Sequence, residues 1–305
     1  MARVVRHPRK RARNLHRQQP NKRLKLTGGD RFKEAECCAL AGTDCRPTPL
    51  RRRASRPQLK RDPLGSAILH MLASVTDHLD RTGFTLIPSG FDGATLDRIA
   101  GAVDTTRPTR HGAGARNLFD LALIREIALA PQIMGLVQEV LGPKSAAVRA
   151  LWFDKTSDVN WKVSWHQDLT IAVRERRDVP GFGPWSTKAG VAHVQPPVSI
   201  LESVLAVRLH VDPCNAANGA LRVLPGSHRA GRIPESDIER WRAEVDEIVC
   251  VAERGDLLLM RPLLLHASSP AAAPTHRRVL HLEFGGVALP HGLEWHDRYA
   301  PVRAA

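Results

Sequence analysis

Trp165-His166-Gln167-Asp168-Leu169 and the stretch Leu257–Leu265, read as one largely apolar strand that ends in His266, decide how this chain reads. In an extended strand, residues i and i+2 point to one face, so His166 and Asp168 face the same way while Gln167 faces the other. An imidazole and a hard carboxylate oxygen, joined by a distant second imidazole, make the 2-His-1-carboxylate set. That set occupies one face of an octahedral Fe(II) and leaves three positions for ligands. A His-x-Asp alone is a weak signal, because many strands carry two polar residues at that spacing. His266, followed eleven positions later by Arg277, raises its weight.

Charge is distributed very unevenly. Residues 1–62 hold 19 Lys and Arg against 5 Asp and Glu, which accounts for the whole formal charge of +14. The remainder is balanced. The leader (RHPRKRARNLHRQQPNKRLKLTGG, then RPTPLRRRASRPQLKR) lacks apolar periodicity, and the expectation is a disordered arm over 1–62 followed by one domain over 63–305. Such an arm suits a nucleic-acid contact or a localisation signal; as a plain extension it makes a nucleic-acid partner unlikely. No secretory h-region or bilayer-length apolar stretch is present, and a cytoplasmic, non-membrane protein is expected. Cys37, Cys38 and Cys45 lack histidines at finger spacing. With Cys214 and Cys250 they suggest neither a zinc finger nor a disulfide framework.

Along the body, Ser66 caps a helix carrying Ile68, Leu72, Val75 and Leu79, stopped by Gly83. Strand Phe84–Ile87, a helix capped by Asp92, and a helical stretch Ile124–Leu141 restarted at Pro131 come next. Strand signals then dominate: Val148–Phe153, Trp161–Asp168, Val204–Asp212, Ala220–Leu224, Ile248–Val251, Leu257–Met260 and Arg277–Phe284. Residues 174–200, rich in Pro and Gly, read as a long loop whose Phe182, Trp185 and His193 are candidates to line a pocket. In Val204–Asp212 the apolar residues fall on one face, with Arg208 and His210 on the other. Those two are costly to bury without a partner. Helices first and strands after indicate a mainly β fold buttressed by N-terminal helices.

His166-Gln167-Asp168, the block Asn218-Gly219-Ala220-Leu221-Arg222-Val223-Leu224-Pro225-Gly226-Ser227-His228, and His266-x10-Arg277 together resemble the phytanoyl-CoA dioxygenase family of Fe(II)/2-oxoglutarate oxygenases. The resemblance covers about residues 80–290. It implies a double-stranded β-helix, a cupin-like jelly roll with iron at one mouth. It also implies His166, Asp168 and His266 as iron ligands, with Arg277 on the distal carboxylate of 2-oxoglutarate and Ser268 beside it. Arg278 competes with Arg277, and strand parity leaves the two open; the family's spacing favours Arg277. Arg208 falls where many relatives carry an aromatic residue near the cosubstrate, which implies an altered 2-oxoglutarate pocket or a substrate-binding arginine.

The implied reaction is hydroxylation of a small organic substrate by O2, with 2-oxoglutarate converted to succinate and CO2. Relatives that halogenate lack the carboxylate ligand, and Asp168 is present here. Two other readings compete. One is a metal-dependent jelly-roll isomerase or lyase that does not use 2-oxoglutarate, against which Ser268 and Arg277 argue. The other is a non-enzymatic module whose basic arm binds nucleic acid, against which the complete triad argues. His193, His210, His228, His281 and His291 are read as structural. Substrate identity and oligomeric state are not written in this sequence.

Overall fold

The computed structural model describes residues 75–88, 90–106, 114–272 and 276–301. The leader, its boundary near residue 62 and the Ser66 cap lie outside the described residues. Helix α1 occupies residues 75–82 and stops at Gly83, whose φ of +86° suits a residue without Cβ. Strand β1 (Phe84–Ile87) follows, then α2 (Gly93–Thr106), capped by the Asp92 carboxylate accepting from Thr95 N at 2.6 Å. Helices α3 (Ala122–Ala128) and α4 (Pro131–Leu141) divide where Pro131 begins a new first turn.

The strands among the described residues form three sheets. They are β2 (Ala146–Lys155), β3 (Val163–His166), β4 (Ile171–Val173), β5 (Trp185–Lys188), β6 (Val191–Val194), β7 (Val204–His210), β8 (Leu221–Val223), β9 (Ile248–Val249), β10 (Leu257–Met260), β11 (His266–Ser268) and β12 (Arg277–Gly285). Short helices α5 (Val198–Glu202) and α6 (Ile238–Glu244) lie between them. A major sheet runs β1-β10-β7-β12-β2 and a minor sheet β3-β11-β8-β9, with a third of order β4-β6-β5. Every ladder is antiparallel. The whole is the double-stranded β-helix expected.

Side-chain alternation assigns the two faces of the major sheet. Leu205, Val207 and Leu209 of β7, with Leu280, Leu282 and Phe284 of β12, pack against Leu96, Ile99, Ile124, Ile133 and Val137 of the helices. This is the main core. The odd residues of β12 and the even residues of β7 face the barrel interior, where Ala206, Leu258 and Met260 meet Leu221, Val223 and Leu264.

Three local expectations are corrected. The run Leu257–Leu265 is not one strand: β10 ends at Met260, and a turn at 261–265 delivers the chain to β11 in the opposite sheet. Arg261-Pro262 interrupts the apolar run at the crossing, and a proline cannot donate to a ladder, so the first strand stops before it. Residues 174–200 are not one loop, since β5 and β6 form a hairpin there. Its two-residue turn, Ala189-Gly190, has φ of +49° and +80°, the twist that matches paired strands. Finally, β3 ends at His166, so Asp168 lies beyond the ladder rather than within it.

Candidate metal centre and the cavity around it

Antiparallel pairing of β3 with β11 sets His166 opposite His266, and their rings lie 4.2 Å apart between centroids. Asp168 reaches the same point from a loop, held by its backbone N–H donating to Pro262 O at 2.9 Å. The intervening Gln167 turns away. Its Nε2 donates to Gly231 O and Leu263 O at 2.8 and 2.6 Å, and its Oε1 accepts from Ile233 N at 2.8 Å. One buried amide thus ties three segments together behind the site. The pairing of residues i and i+2 on one side holds, although the loop rather than the pleat produces it.

One donor atom from each of His166, Asp168 and His266 lies within 4.8 Å of the others, the only such cluster among the described residues. Asp168 Oδ1 stands 3.7 Å from His166 Nε2, and its Oδ2 stands 3.6 Å from His266 Nε2. Each imidazole donates Nδ1–H to the carbonyl two residues before it: His166 to Ser164 at 2.8 Å, His266 to Leu264 at 2.9 Å. A carbonyl only accepts, so the proton sits on Nδ1 and the Nε2 lone pair faces the cluster. Burial pushes His266 down to about 4, keeping it neutral. Burial alone would raise Asp168, but the adjacent His266 and His166 outweigh it and hold the carboxyl at about 2. Two imidazoles with Nε2 turned to the cluster and an anionic oxygen in these orientations fit a divalent metal such as Fe(II).

The cluster opens onto a cavity of about 460 Å³. Its opposite wall is the inner face of the major sheet, which registers in layers. Lys155 pairs with Arg277, Phe153 with Val279 and His210, Leu151 with His281 and Arg208, and Arg149 with Glu283 and Ala206. Arg277 faces inward and lines the cavity; Arg278 faces out, its guanidinium forked on Asp212 at 2.8 Å through both Nε and Nη2. This settles the orientation that strand parity left open. Arg277 Nη1 donates to Gly219 O at 3.1 Å, while its buried Nε has no partner among the described residues. A Cβ on Gly219 would stand 2.5 Å from Ser269 O and 3.1 Å from Lys155 Nζ, so only glycine fits here. Ser268 lines the same end and accepts from Lys155 Nζ at 3.1 Å, leaving its own hydroxyl proton to donate inward.

Arg208 also lines the cavity, and its Nη1 donates to His281 Nδ1 at 3.2 Å. Because Nδ1 accepts, the His281 proton is on Nε2, aimed at Glu283 Oε1 3.4 Å away; Glu283 also accepts from Arg149 at 3.0 Å. Burial, then Arg277, bring Arg208 down to about 10. His210 is buried with neither ring nitrogen partnered among the described residues. Burial first, then Arg208 and Arg277, drive it to about 3. The expected pocket residues of segment 174–200 are not there: Phe182 and Trp185 pack in an apolar cluster with Leu201 and Trp295, and His193 is buried elsewhere. Lys188 and Gln195 line the cavity instead.

Lys155, Arg149 and Glu283 were not singled out from the sequence. A signal existed in Ala146–Lys155, an apolar strand whose two basic residues, Arg149 and Lys155, stand an even number of positions apart and so share one face. Lys155 is fully buried, and burial, with Arg277 beside it, brings its amine down to about 8.

A double-stranded β-helix with two histidines and an aspartate gathered at one mouth defines a jelly roll of the non-haem metal type. Residues 79–279 match the family model Phytanoyl-CoA dioxygenase (PhyH), well over half of the chain. The chain belongs to the phytanoyl-CoA dioxygenase family of Fe(II)/2-oxoglutarate oxygenases. A mouse relative, "Phytanoyl-CoA dioxygenase, peroxisomal", is 26% identical over an alignment of 174 residues that covers 52% of this chain and 44% of that protein. The chain therefore spans less than half the length of that relative. EctD from S. alaskensis, solved with 2-oxoglutarate and 5-hydroxyectoine, superposes with a TM-score of 0.54 at 15% identity, over 70% of this chain and 75% of its own. The α-ketoglutarate-dependent epimerase SnoN from nogalamycin biosynthesis gives 0.54 at 15%, over 77% and 96%. At such identities these two show the fold alone. No helix among the described residues is long and apolar enough to cross a membrane.

Proposed function

We propose that this protein is an Fe(II)- and 2-oxoglutarate-dependent dioxygenase that hydroxylates a small organic substrate. The observation that carries the reading is the joint presentation, in one cavity, of a free-Nε2 His/Asp/His cluster and an inward, buried arginine with an unpartnered Nε. His166, Asp168 and His266 would hold the metal. Arg277 would take the distal carboxylate of 2-oxoglutarate, where a guanidinium fork pairs with two oxygens. Ser268 would donate to the same carboxylate, and Arg208 lies two layers along the wall, in reach of the cosubstrate or of its neighbour. When bound, iron and 2-oxoglutarate supply the oxidising power for O2 to insert one atom into a substrate C–H bond, with succinate and CO2 released.

What the chain itself contributes is placement. The Nδ1–carbonyl bonds hold both imidazoles in their ligating tautomer, and the Gln167 clamp fixes the loop that presents Asp168. The apolar cluster of Leu221, Val223 and Met260 adjoins the minor-sheet strands beneath the site and keeps that side free of water. Hydroxylation is favoured over halogenation because the carboxylate ligand is present. Addition of Fe(II) and 2-oxoglutarate without oxygen should give the weak visible charge-transfer band of the chelate. Asp168→Ala and Arg277→Gln should each abolish or greatly weaken it; a folded, iron-loaded wild type without the band overturns the assignment.

A further inference from the structure

Resting on that reading, the second pole of the cavity says what the substrate carries. Arg277 and Glu283 lie six residues apart on β12, so the two poles are on the order of 20 Å apart along the strand. A five-carbon dicarboxylate anchored at Arg277 does not span that length. At the far pole, Arg149 stands in the last layer of the wall, Lys188 comes from β5, and Arg116 comes from the strand-like segment bridged to β2 at Ala115–Trp152. All three line the same cavity as the metal ligands.

Their compensation is incomplete. Glu283 pairs with Arg149 at 3.0 Å. Lys188 Nζ is held only by the neutral Thr170 hydroxyl at 3.0 Å, and no hydrogen bond or ion pair holds Arg116 among the described residues. Lys188, half-buried, is pushed down by burial first and then by Arg149 and Arg116. Arg116, open to solvent on one side, is pushed down as well, by partial burial and then by Arg149, and Glu283 offsets only part of this for both. Over the entire cavity five cationic side chains face two carboxylates. Fe(II) and dianionic 2-oxoglutarate cancel each other, so loading the site leaves the excess of three positive charges in place. Positive charge gathered in a cleft with low-dielectric walls attracts an anion and strengthens its pairing.

We infer that the substrate is a small organic anion whose carboxylate or phosphate head is held by Arg116, Arg149 and Lys188. Its carbon skeleton then runs back across the open side of the His166/Asp168/His266 cluster. Glu283 keeps Arg149 oriented across the wall as the shared member of the site. Arg116 and Lys188, which have no carboxylate partner of their own among the described residues, make the stronger new pairs.

The test uses the full chain loaded with Fe(II) and 2-oxoglutarate under nitrogen, after the charge-transfer band has formed. Octanoate, octyl phosphate and octanol are titrated by calorimetry and by the change in that band. One or both anions should bind at least about tenfold more tightly than octanol. Arg116→Gln and Lys188→Gln should each weaken the anion about tenfold and leave 2-oxoglutarate affinity unchanged. The two anionic probes separate a carboxylate from a phosphate preference. Equal or absent binding of anion and alcohol, or anion affinity indifferent to both variants, overturns the inference while the band stands. Absence of the band itself overturns the oxygenase reading instead.

Discussion

Lys155 and Arg277 are paired across β2 and β12, Lys155 just behind the cavity wall, so two cations lie side by side with only neutral groups around them: oxygens of Ser268, Ser269 and Gly219, the Cys214 sulfur and the Trp161 ring. A fold tolerates such a cost where a ligand anion later offsets it. The cost has a pH signature. With the Lys155 amine at about 8 in the folded protein against an ordinary 10.5, the unfolded chain binds more protons between those values, and stability rises with pH across that window. Below about pH 8 both states are charged and the benefit is absent. Urea melts of wild type and Lys155→Met at pH 7.5 and 10 should therefore shift in favour of wild type by up to about 3 kcal/mol at the higher pH. A difference that does not move with pH contradicts the burial of a charged amine at this position.

At the scale of elements, the site is assembled by two strands about one hundred residues apart and the loop that follows the first of them. β3 and β11 bring the histidines opposite one another, and the loop after β3 brings Asp168. Gln167 is the fastener, since its amide satisfies two carbonyls and one N–H on segments near Gly231, Ile233 and Leu263. Gln167→Ala leaves those backbone groups unpaired, at about 1–3 kcal/mol for each group that stays buried. It should lower the melting temperature and weaken Fe(II) binding by tenfold or more, the order seen when a ligand's support is removed. Unchanged metal affinity in a destabilised but folded variant would show that Asp168 is held by Pro262 alone.

Across the whole molecule, stability and chemistry use opposite faces of the same sheet. Even residues of β12 lock the helices onto the sheet, and odd residues line the cavity. Leu282, fully buried among helix side chains, is a stability residue only. Leu282→Ala should cost about 2–5 kcal/mol in chemical denaturation. In conditions where the variant remains folded, its 2-oxoglutarate affinity should match wild type. Glu283, the next residue, lies on the other face and belongs to the cavity wall. Adjacent positions thus answer to different demands, because the pleat sends them to different environments.

The sequence by itself determined the strand-rich architecture and the residues that meet at its mouth. Period-two alternation in Val204–Asp212, the Asn218–His228 block and His166-x-Asp168 are local patterns, each written in consecutive or fixed-spacing residues, while His266 was tied to them by its spacing to Arg277 and the family resemblance. Helix caps at Asp92 and Pro131 were legible for the same reason. Tertiary structure alone decided that Arg277 rather than Arg278 enters the cavity, that Leu257–Leu265 crosses between sheets, and that Trp185 packs away while Lys188 lines the wall. It alone put Lys155 beside Arg277 and Arg149 beside Glu283. These depend on register between strands more than one hundred residues apart. Register is set by the burial of whole faces, not by any one stretch of chain.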